Sequence, residues 1–118
     1  MREDMKRTIQ GLGTALVTPF TAQGKVDIPA LQRLLDRQIA AKVDFLVVLG
    51  TTGEPATMTP REQQMVRKTI VEHIAGRIPL VLGLGGNCTQ EVVERIGLMK
   101  DELKRNYVVK NIKPDSPV

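Results

Sequence analysis

FLVVLGTTGE, residues 45–54, is the most informative stretch of this sequence, because an apolar run ends there in glycines, hydroxyls and a carboxylate. A run of Phe, Leu and Val without polar alternation is typical of a parallel strand covered on both faces, and such strands present chemistry at their carboxyl ends. Thr51 and Thr52 stand at that end, and Gly50 and Gly53 remove side-chain bulk around them. Backbone N–H groups and both hydroxyls could therefore converge on a small carboxylate or carbonyl oxygen. An ordinary strand-to-helix turn uses the same residue types, so these ten residues leave both interpretations open.

On either side of this stretch, apolar strands alternate with amphipathic helices. The sequence predicts strands at 12–18, 44–49 and 78–84. Each is followed by a predicted helix with a start signal: Asp27 with Pro29, then Thr59 with Pro60 and Glu62, then Thr89. Apolar residues recur at helical spacing in all three helices: Leu31, Leu34, Leu35 and Ile39; Met65, Val66, Ile70 and Ile74; and Val92, Val93, Ile96, Leu98 and Met99.

This order predicts a parallel sheet with right-handed crossovers, because strand starts recur about 33 residues apart with a helix between them. Two architectures fit this order of elements: a doubly wound sheet and a (β/α)₈ barrel. The glycines of 11–13 precede the first strand instead of following it, so the dinucleotide-binding context is missing and the barrel is favoured.

A closed barrel needs about 250 residues, so we expect an α/β fold made of three to four β/α units of a (β/α)₈ TIM barrel, incomplete. The predicted organisation is a polar leader at 1–10, three β/α units at 11–104 and a divergent tail at 105–118, with one short strand at 107–112. Such a sheet leaves inward side chains without an opposite wall, and we expect self-association through the open barrel face.

Composition excludes several classes of function. The 118 residues are 42% hydrophobic and 25% charged, as in a soluble globular protein, and neither a membrane-spanning run nor a secretory signal is present, which predicts a cytoplasmic location. Cys88 and His73 are the only residues of their types, so a Cys/His zinc site is excluded, and we expect no metal or other cofactor. The net charge of +4 is dispersed and only three aromatic residues are present, which argues against nucleic acid as a partner.

Three segments together resemble the 4-hydroxy-tetrahydrodipicolinate synthase (dihydrodipicolinate synthase) family: GLGTALVTPF at 11–20, FLVVLGTTGEPATMTPREQ at 45–63 and GRIPLVLGLGGN at 76–87. The resemblance runs from residue 11 to about residue 100. It covers only the N-terminal third of a family member. It implies a (β/α)₈ barrel and a lyase of lysine biosynthesis, in which a lysine forms a Schiff base with pyruvate and the enamine adds to aspartate semialdehyde.

The resemblance also assigns roles to residues of the 45–54 stretch. Thr51 is implied to be catalytic, in a proton relay with two tyrosines, and to contact pyruvate. Thr52 and its neighbouring amides are implied to hold the pyruvate carboxylate. A hydroxyl both donates and accepts, and amides at a glycine turn suit an anion, so these roles are chemically reasonable. Ala15 and Thr18 are expected to line the pocket floor only weakly.

A regulatory site is the second implication of the resemblance. Asn87 and Glu91 match two positions of an allosteric lysine site at the dimer interface of some family members. Pro55, Pro60 and Gln63 stand where lysine-sensitive enzymes have a serine and two histidines, which argues against inhibition. Asn87 also fits a simple turn residue, and Glu91 a first-turn acid favoured by the helix dipole.

Three family segments are missing from the sequence: YNVPxRTG with the relay tyrosine, a GIKEA-like strand with the Schiff-base lysine, and PYYN. Lys110, Lys113 and Tyr107 lie in unrelated contexts. Because covalent catalysis needs a desolvated lysine, we expect the chain alone to be inactive. Two hypotheses remain open: an N-terminal fragment of a pyruvate-dependent lyase, and a non-catalytic assembly or binding module derived from that fold.

Overall fold

A three-stranded parallel sheet lies at the centre of the computed structural model, which describes residues 9–109. The strands, in spatial order, are β1 (Gly13–Ala15), β2 (Phe45–Val48) and β3 (Leu80–Leu82). The helices are α1 (Ile28–Ala40), α2 (Pro60–Ile74), α3 (Thr89–Leu98) and α4 (Lys100–Asn106), and two 3₁₀ turns at Thr51–Gly53 and Pro55–Thr57 join β2 to α2. The predicted parallel arrangement of β/α units is confirmed.

The starts of α1 and α2 follow the predicted capping signals. Asp27 accepts a hydrogen bond from the N–H of Ala30 at 3.0 Å, with Pro29 in the first turn. Thr59 and Glu62 form a complete capping box: the Thr59 side chain accepts from the Glu62 N–H at 3.1 Å, and the Glu62 carboxylate accepts from the Thr59 N–H at 2.8 Å. Both helices are therefore specified locally, by side chains that satisfy their first N–H groups.

Three predictions for the helices are wrong. Leu98, predicted among the apolar positions of the third helix, is 87% exposed. Thr89 is the first residue of α3 and not its cap, because Cys88 has the extended backbone of the N-cap position and offers no side-chain hydrogen bond. Met65 is 41% exposed, whereas Val66, Ile70 and Ile74 are buried. The buried stripe advances four residues at a time, so Met65 lies one residue off the covered face.

The two faces of the sheet differ in burial, so the prediction that the strand within 45–54 is covered on both faces is wrong for this chain. On one face Leu46, Val48 and Leu80 are almost fully buried against the helices. On the other face the register aligns Ala15, Val47 and Val81 across all three strands, and none of these is buried. Successive side chains of a strand point to opposite faces, so this second face is the one that looks into a barrel.

Val17 extends the open face beyond the end of β1. It is 53% exposed, while its neighbours Leu16 and Thr18 are 3% and 6% exposed. We use the name open face for Ala15, Val17, Phe45, Val47 and Val81.

A fourth helix, α4, follows α3 directly and was not predicted. Leu103 and Tyr107 are buried in the core, and an ion pair joins α4 to α2, with Arg67 Nε 2.8 Å from Glu102 Oε2. The predicted boundary between residues 104 and 105 falls inside α4.

The short strand predicted at 107–112 is described only to residue 109; Tyr107 has an extended backbone, but residues 107–109 belong to no strand. The N–H of Val108 donates to the carbonyl of Leu80 at 2.8 Å, so this segment runs beside β3. Within residues 9–109, no helix has the length and hydrophobicity that crossing a membrane requires.

Candidate carboxylate-binding site

The backbone reverses direction directly after β2, within the segment 49–54. Leu49 has a left-handed conformation with φ of 53° although its side chain is only 4% exposed, and Glu54 is left-handed with φ of 63°. Between them lies the 3₁₀ turn Thr51–Gly53. Left-handed non-glycine residues cost on the order of 1 kcal/mol or more each, so the surrounding structure must hold this turn in place.

The turn leaves hydrogen-bond donors unused. Its own bonds run from the N–H of Gly53 to the carbonyl of Gly50 at 2.8 Å, and from the N–H of Glu54 to the carbonyl of Thr51 at 3.0 Å. Within the described part of the chain, the N–H groups and hydroxyls of Thr51 and Thr52 bond to no other group, and both residues are exposed. Four donors at the carboxyl end of one strand are therefore unbonded on two exposed residues, a pattern suited to an anion.

Thr18, from the segment after β1, holds the turn from below. Its hydroxyl Oγ1 donates to the carbonyl of Gly53 at 2.7 Å, and it is the only buried polar residue of the described core. The sequence placed Thr18 weakly on the pocket floor; the structure gives it a bond to the turn itself. The alternation of side chains along the strand could have indicated this bond. Thr18 lies on the same buried face as Leu16, and a buried hydroxyl needs a hydrogen-bond partner.

Gly83, from the segment after β3, lies directly against the backbone of Leu49 and Gly50. A Cβ at this position would lie 2.6 Å from the carbonyl oxygen of Leu49 and 2.8 Å from the Cα of Gly50. The N–H of Gly83 also donates to the carbonyl of Val48 at 2.8 Å. Only a residue without a side chain fits against this backbone. Sequence reasoning missed this position.

Two more bonds support the segment that leads into α2. Gln63 Nε2 donates to the carbonyl of Pro55 at 2.9 Å, and the Thr57 hydroxyl donates to the carbonyl of Glu54 at 3.0 Å. Gln63, one of the positions compared with the lysine-sensitive enzymes, therefore has a structural bond of its own in this chain.

The other predicted site residues lie elsewhere. Asn87 and Glu91 are both exposed, Asn87 in the bend before α3 and Glu91 in its first turn, and an allosteric role for them stays a prediction. Ala15 is exposed on the open face. Lys110 and Lys113 lie outside the described residues.

Tyr107 is buried in the core and makes no hydrogen bond to the turn at 51–53. Its side chain is 2% exposed, and within residues 9–109 its hydroxyl has no hydrogen-bond partner. Burial raises the pKa of Tyr107, the carboxylate of Glu102 raises it further, and the guanidinium of Arg67 lowers it. This tyrosine is therefore a core residue close to the ion pair of Arg67 and Glu102.

A model of the dihydrodipicolinate synthetase family matches residues 8–102. This chain belongs to the dihydrodipicolinate synthetase family. The 4-hydroxy-tetrahydrodipicolinate synthase of Parabacteroides distasonis is 48% identical over 88 residues, which are 75% of this chain and 30% of that protein. The enzyme of the same name from Flavobacterium psychrophilum is 51% identical over 86 residues, 73% of this chain and 29% of its own length.

Solved structures share the fold of this chain. The chloride-inhibited dihydrodipicolinate synthase of Acinetobacter baumannii, solved in complex with pyruvate, matches with a TM-score of 0.75 and 38% identity, over 80% of this chain and 32% of that one. N-acetylneuraminate lyase from Mycoplasma synoviae matches with a TM-score of 0.68 and 32% identity, over 77% of this chain and 32% of its own. These neighbours are TIM barrels, so the predicted fold class is confirmed. The chain spans about 30% of the length of the curated relatives that it matches.

Proposed function

We propose that this chain is the N-terminal part of a pyruvate-dependent Schiff-base lyase resembling 4-hydroxy-tetrahydrodipicolinate synthase, and that the turn at 51–53 binds the carboxylate of pyruvate. The observation that carries the proposal is the set of four unused donors on Thr51 and Thr52. A relative of the same fold was solved in complex with pyruvate, which supports the choice of ligand. Charge-assisted hydrogen bonds to a carboxylate are stronger than neutral ones.

Each threonine has a separate role in this proposal. Thr52 contributes its N–H and hydroxyl to the carboxylate, and Thr51 contributes a hydroxyl that passes a proton between substrate and a tyrosine that is not among these 118 residues, whose only tyrosine is Tyr107. A hydroxyl suits such a relay because it accepts and donates in the same geometry.

The 118-residue polypeptide should bind pyruvate without converting it. Schiff-base formation needs a lysine whose amine is desolvated and deprotonated. Within residues 9–109, four of the five lysines are exposed, and the fifth, Lys100, starts α4. None of them stands in a strand at the sheet edge that carries Thr51 and Thr52.

A pyruvate titration followed by amide NMR tests this proposal. We expect the resonances of Thr51 and Thr52 to move with a Kd on the order of 1 mM, as suits a few exposed hydrogen bonds. Thr52→Val removes one donor and should weaken binding, whereas Thr69→Val, on α2, should leave it unchanged. Titration with acetone, which lacks the carboxylate, is the ligand control. Absence of any shift at the turn with pyruvate contradicts the proposal.

Borohydride treatment in the presence of pyruvate tests the predicted lack of covalent chemistry. Reduction of a Schiff base would add the pyruvate carbon skeleton irreversibly to a lysine. We expect the intact mass of the polypeptide to stay unchanged, and a trapped adduct would contradict the prediction.

A non-catalytic assembly module is the second candidate function, and the open face favours it. We propose that copies of this polypeptide associate through that face, because apolar residues there, such as Val17, stay exposed. Burying such side chains contributes about 25 cal/mol per Å² of apolar surface. Sedimentation should show association that Val17→Lys reduces. Leu98→Lys, on α3 at a residue that is 87% exposed, is the matched control and should not change it. Equal association in all three proteins contradicts the proposal.

We also propose a cytoplasmic location for this protein. The single cysteine, Cys88, is exposed, and an exposed thiol stays reduced in that compartment.

A further inference from the structure

We infer that Thr18 is a positioning residue for the carboxylate site, and that its buried hydroxyl starts a chain of hydrogen bonds ending in the unused N–H of Thr52. The inference rests on the proposed function, since it concerns the same site. Thr18 is 6% exposed, and its Oγ1 lies 2.7 Å from the carbonyl oxygen of Gly53. A ligand above the exposed turn would not touch this hydroxyl, so its effect must pass through the backbone.

The first link of the chain is the peptide between Gly53 and Glu54. Its carbonyl accepts from Thr18, and its N–H donates to the carbonyl of Thr51 at 3.0 Å. The described peptides are trans, and a trans peptide is planar with its C=O and N–H pointing in opposite directions. Holding the carbonyl of Gly53 therefore also aims the N–H of Glu54.

The second link is the peptide between Thr51 and Thr52. Its carbonyl is held by the N–H of Glu54, so its N–H is aimed away from the interior of the turn. Hydrogen bonds in series polarise one another, which makes the last donor of such a chain a stronger one. The N–H of Thr52 is that last donor, and within residues 9–109 it bonds to nothing else.

The N–H of Thr51 provides an internal comparison. It belongs to the peptide whose Gly50 carbonyl accepts from the N–H of Gly53 at 2.8 Å, a chain that begins inside the turn and does not include Thr18. Loss of the Thr18 hydroxyl should therefore affect the N–H of Thr52 more than that of Thr51. A general loosening of the structure would affect both.

Four variants of the 118-residue chain test this inference. Thr18→Val removes the donor at nearly constant volume, and Thr18→Ser keeps it. Thr18→Ala removes the donor without adding a methyl group, which keeps the test open if Thr18→Val does not fold. Thr57→Val is the matched control, because it removes a hydroxyl that bonds to the carbonyl of Glu54, in the same loop but outside the chain of hydrogen bonds.

We expect Thr18→Val and Thr18→Ala to move the amide resonance of Thr52 more than that of Thr51, and to weaken pyruvate binding by about three- to ten-fold, with both effects reversed in Thr18→Ser. Thr57→Val should resemble the wild type. Equal displacement of the two amides, or no difference between Thr18→Val and Thr57→Val, overturns the inference. If the wild-type chain shows no response to pyruvate, the proposed function fails, while the Thr52 amide still decides the role of Thr18.

Discussion

The hydroxyl of Thr18 lies 2.7 Å from the carbonyl oxygen of Gly53, and this buried bond joins the segment after the first strand to the turn that follows the second. The two residues are 35 positions apart in the chain. Neither is exposed, yet the bond holds the backbone that carries the exposed donors of Thr51 and Thr52. The candidate site is therefore assembled on a contact between neighbouring strands rather than on the turn alone.

Loss of that bond should also lower stability. Thr18→Val leaves the buried carbonyl of Gly53 without its donor, and an unsatisfied buried acceptor costs about 1–3 kcal/mol. We expect a decrease of that size in the free energy of unfolding measured by urea titration, with Thr18→Ser close to the wild type. A decrease of similar size in Thr18→Ser would show that the methyl group, and not the hydroxyl, matters.

Gly83→Ala should disturb the turn at 51–53 from the side of β3. The new Cβ would lie 2.6 Å from the carbonyl oxygen of Leu49, which is backbone and cannot move independently. Overpacking of this kind costs about 1–3 kcal/mol. We expect lower stability in urea titration together with shifted amide resonances of Gly50 and Thr51.

Gly85→Ala is the matched control for this substitution. A Cβ at Gly85 meets no atom within 4 Å, so stability should change little. Equal effects of the two variants would contradict the close approach of Gly83 to the end of β2.

The helix caps make a further prediction, because α2 has a complete capping box and α3 has none. Thr59→Ala removes the side chain that caps α2 and should cost about 1 kcal/mol. Thr89→Ala should cost less than half of that, because Thr89 is already inside α3. Cys88→Asp places a capping side chain at the N-cap of α3 and should stabilise the protein by about 0.5–1 kcal/mol. Thermal unfolding of the three variants measures all of these changes, and a larger loss for Thr89→Ala than for Thr59→Ala would contradict the observed start of α3.

Tyr107→Phe should keep or raise stability at neutral pH. The hydroxyl of Tyr107 is buried without a partner, so its removal relieves a desolvation cost of about 1 kcal/mol while the ring still packs in the core. A loss of more than about 1 kcal/mol in urea titration would instead reveal a hydrogen bond to that hydroxyl.

The same tyrosine predicts how stability depends on pH. Its pKa is raised in the folded state above the ordinary value of 10.0, mainly by burial. Above that ordinary value the unfolded chain loses the proton while the folded chain keeps it, so stability should fall as pH rises beyond about 10. In Tyr107→Phe this part of the decrease should be absent. Identical alkaline profiles for the two proteins would rule out the buried phenol as its source.

Strand and helix order was predictable from the sequence because the signals are local. Asp27, Thr59 and Glu62 satisfy N–H groups within three residues of themselves, so their effect is visible in the sequence. The start of α3 was misplaced because Cys88 and Thr89 compete for the cap, and backbone angles at one residue decide between them. Helix α4 was missed because the residues that it buries, Leu103 and Tyr107, are specified by contacts with distant parts of the chain.

The features of the candidate site likewise fall into those specified by local sequence and those specified by tertiary contacts. Thr51 and Thr52 were identifiable because an apolar strand ending in glycines and hydroxyls places donors at a known edge of a parallel sheet, and this follows from local chain geometry alone. The bond of Thr18 to Gly53 and the approach of Gly83 to Leu49 depend on which strands become neighbours, since both join segments more than 30 residues apart. Periodicity and capping depend on residues that are near one another in the sequence. The direction in which the N–H groups of the turn point depends on how the strands pack, so only the tertiary structure decides it.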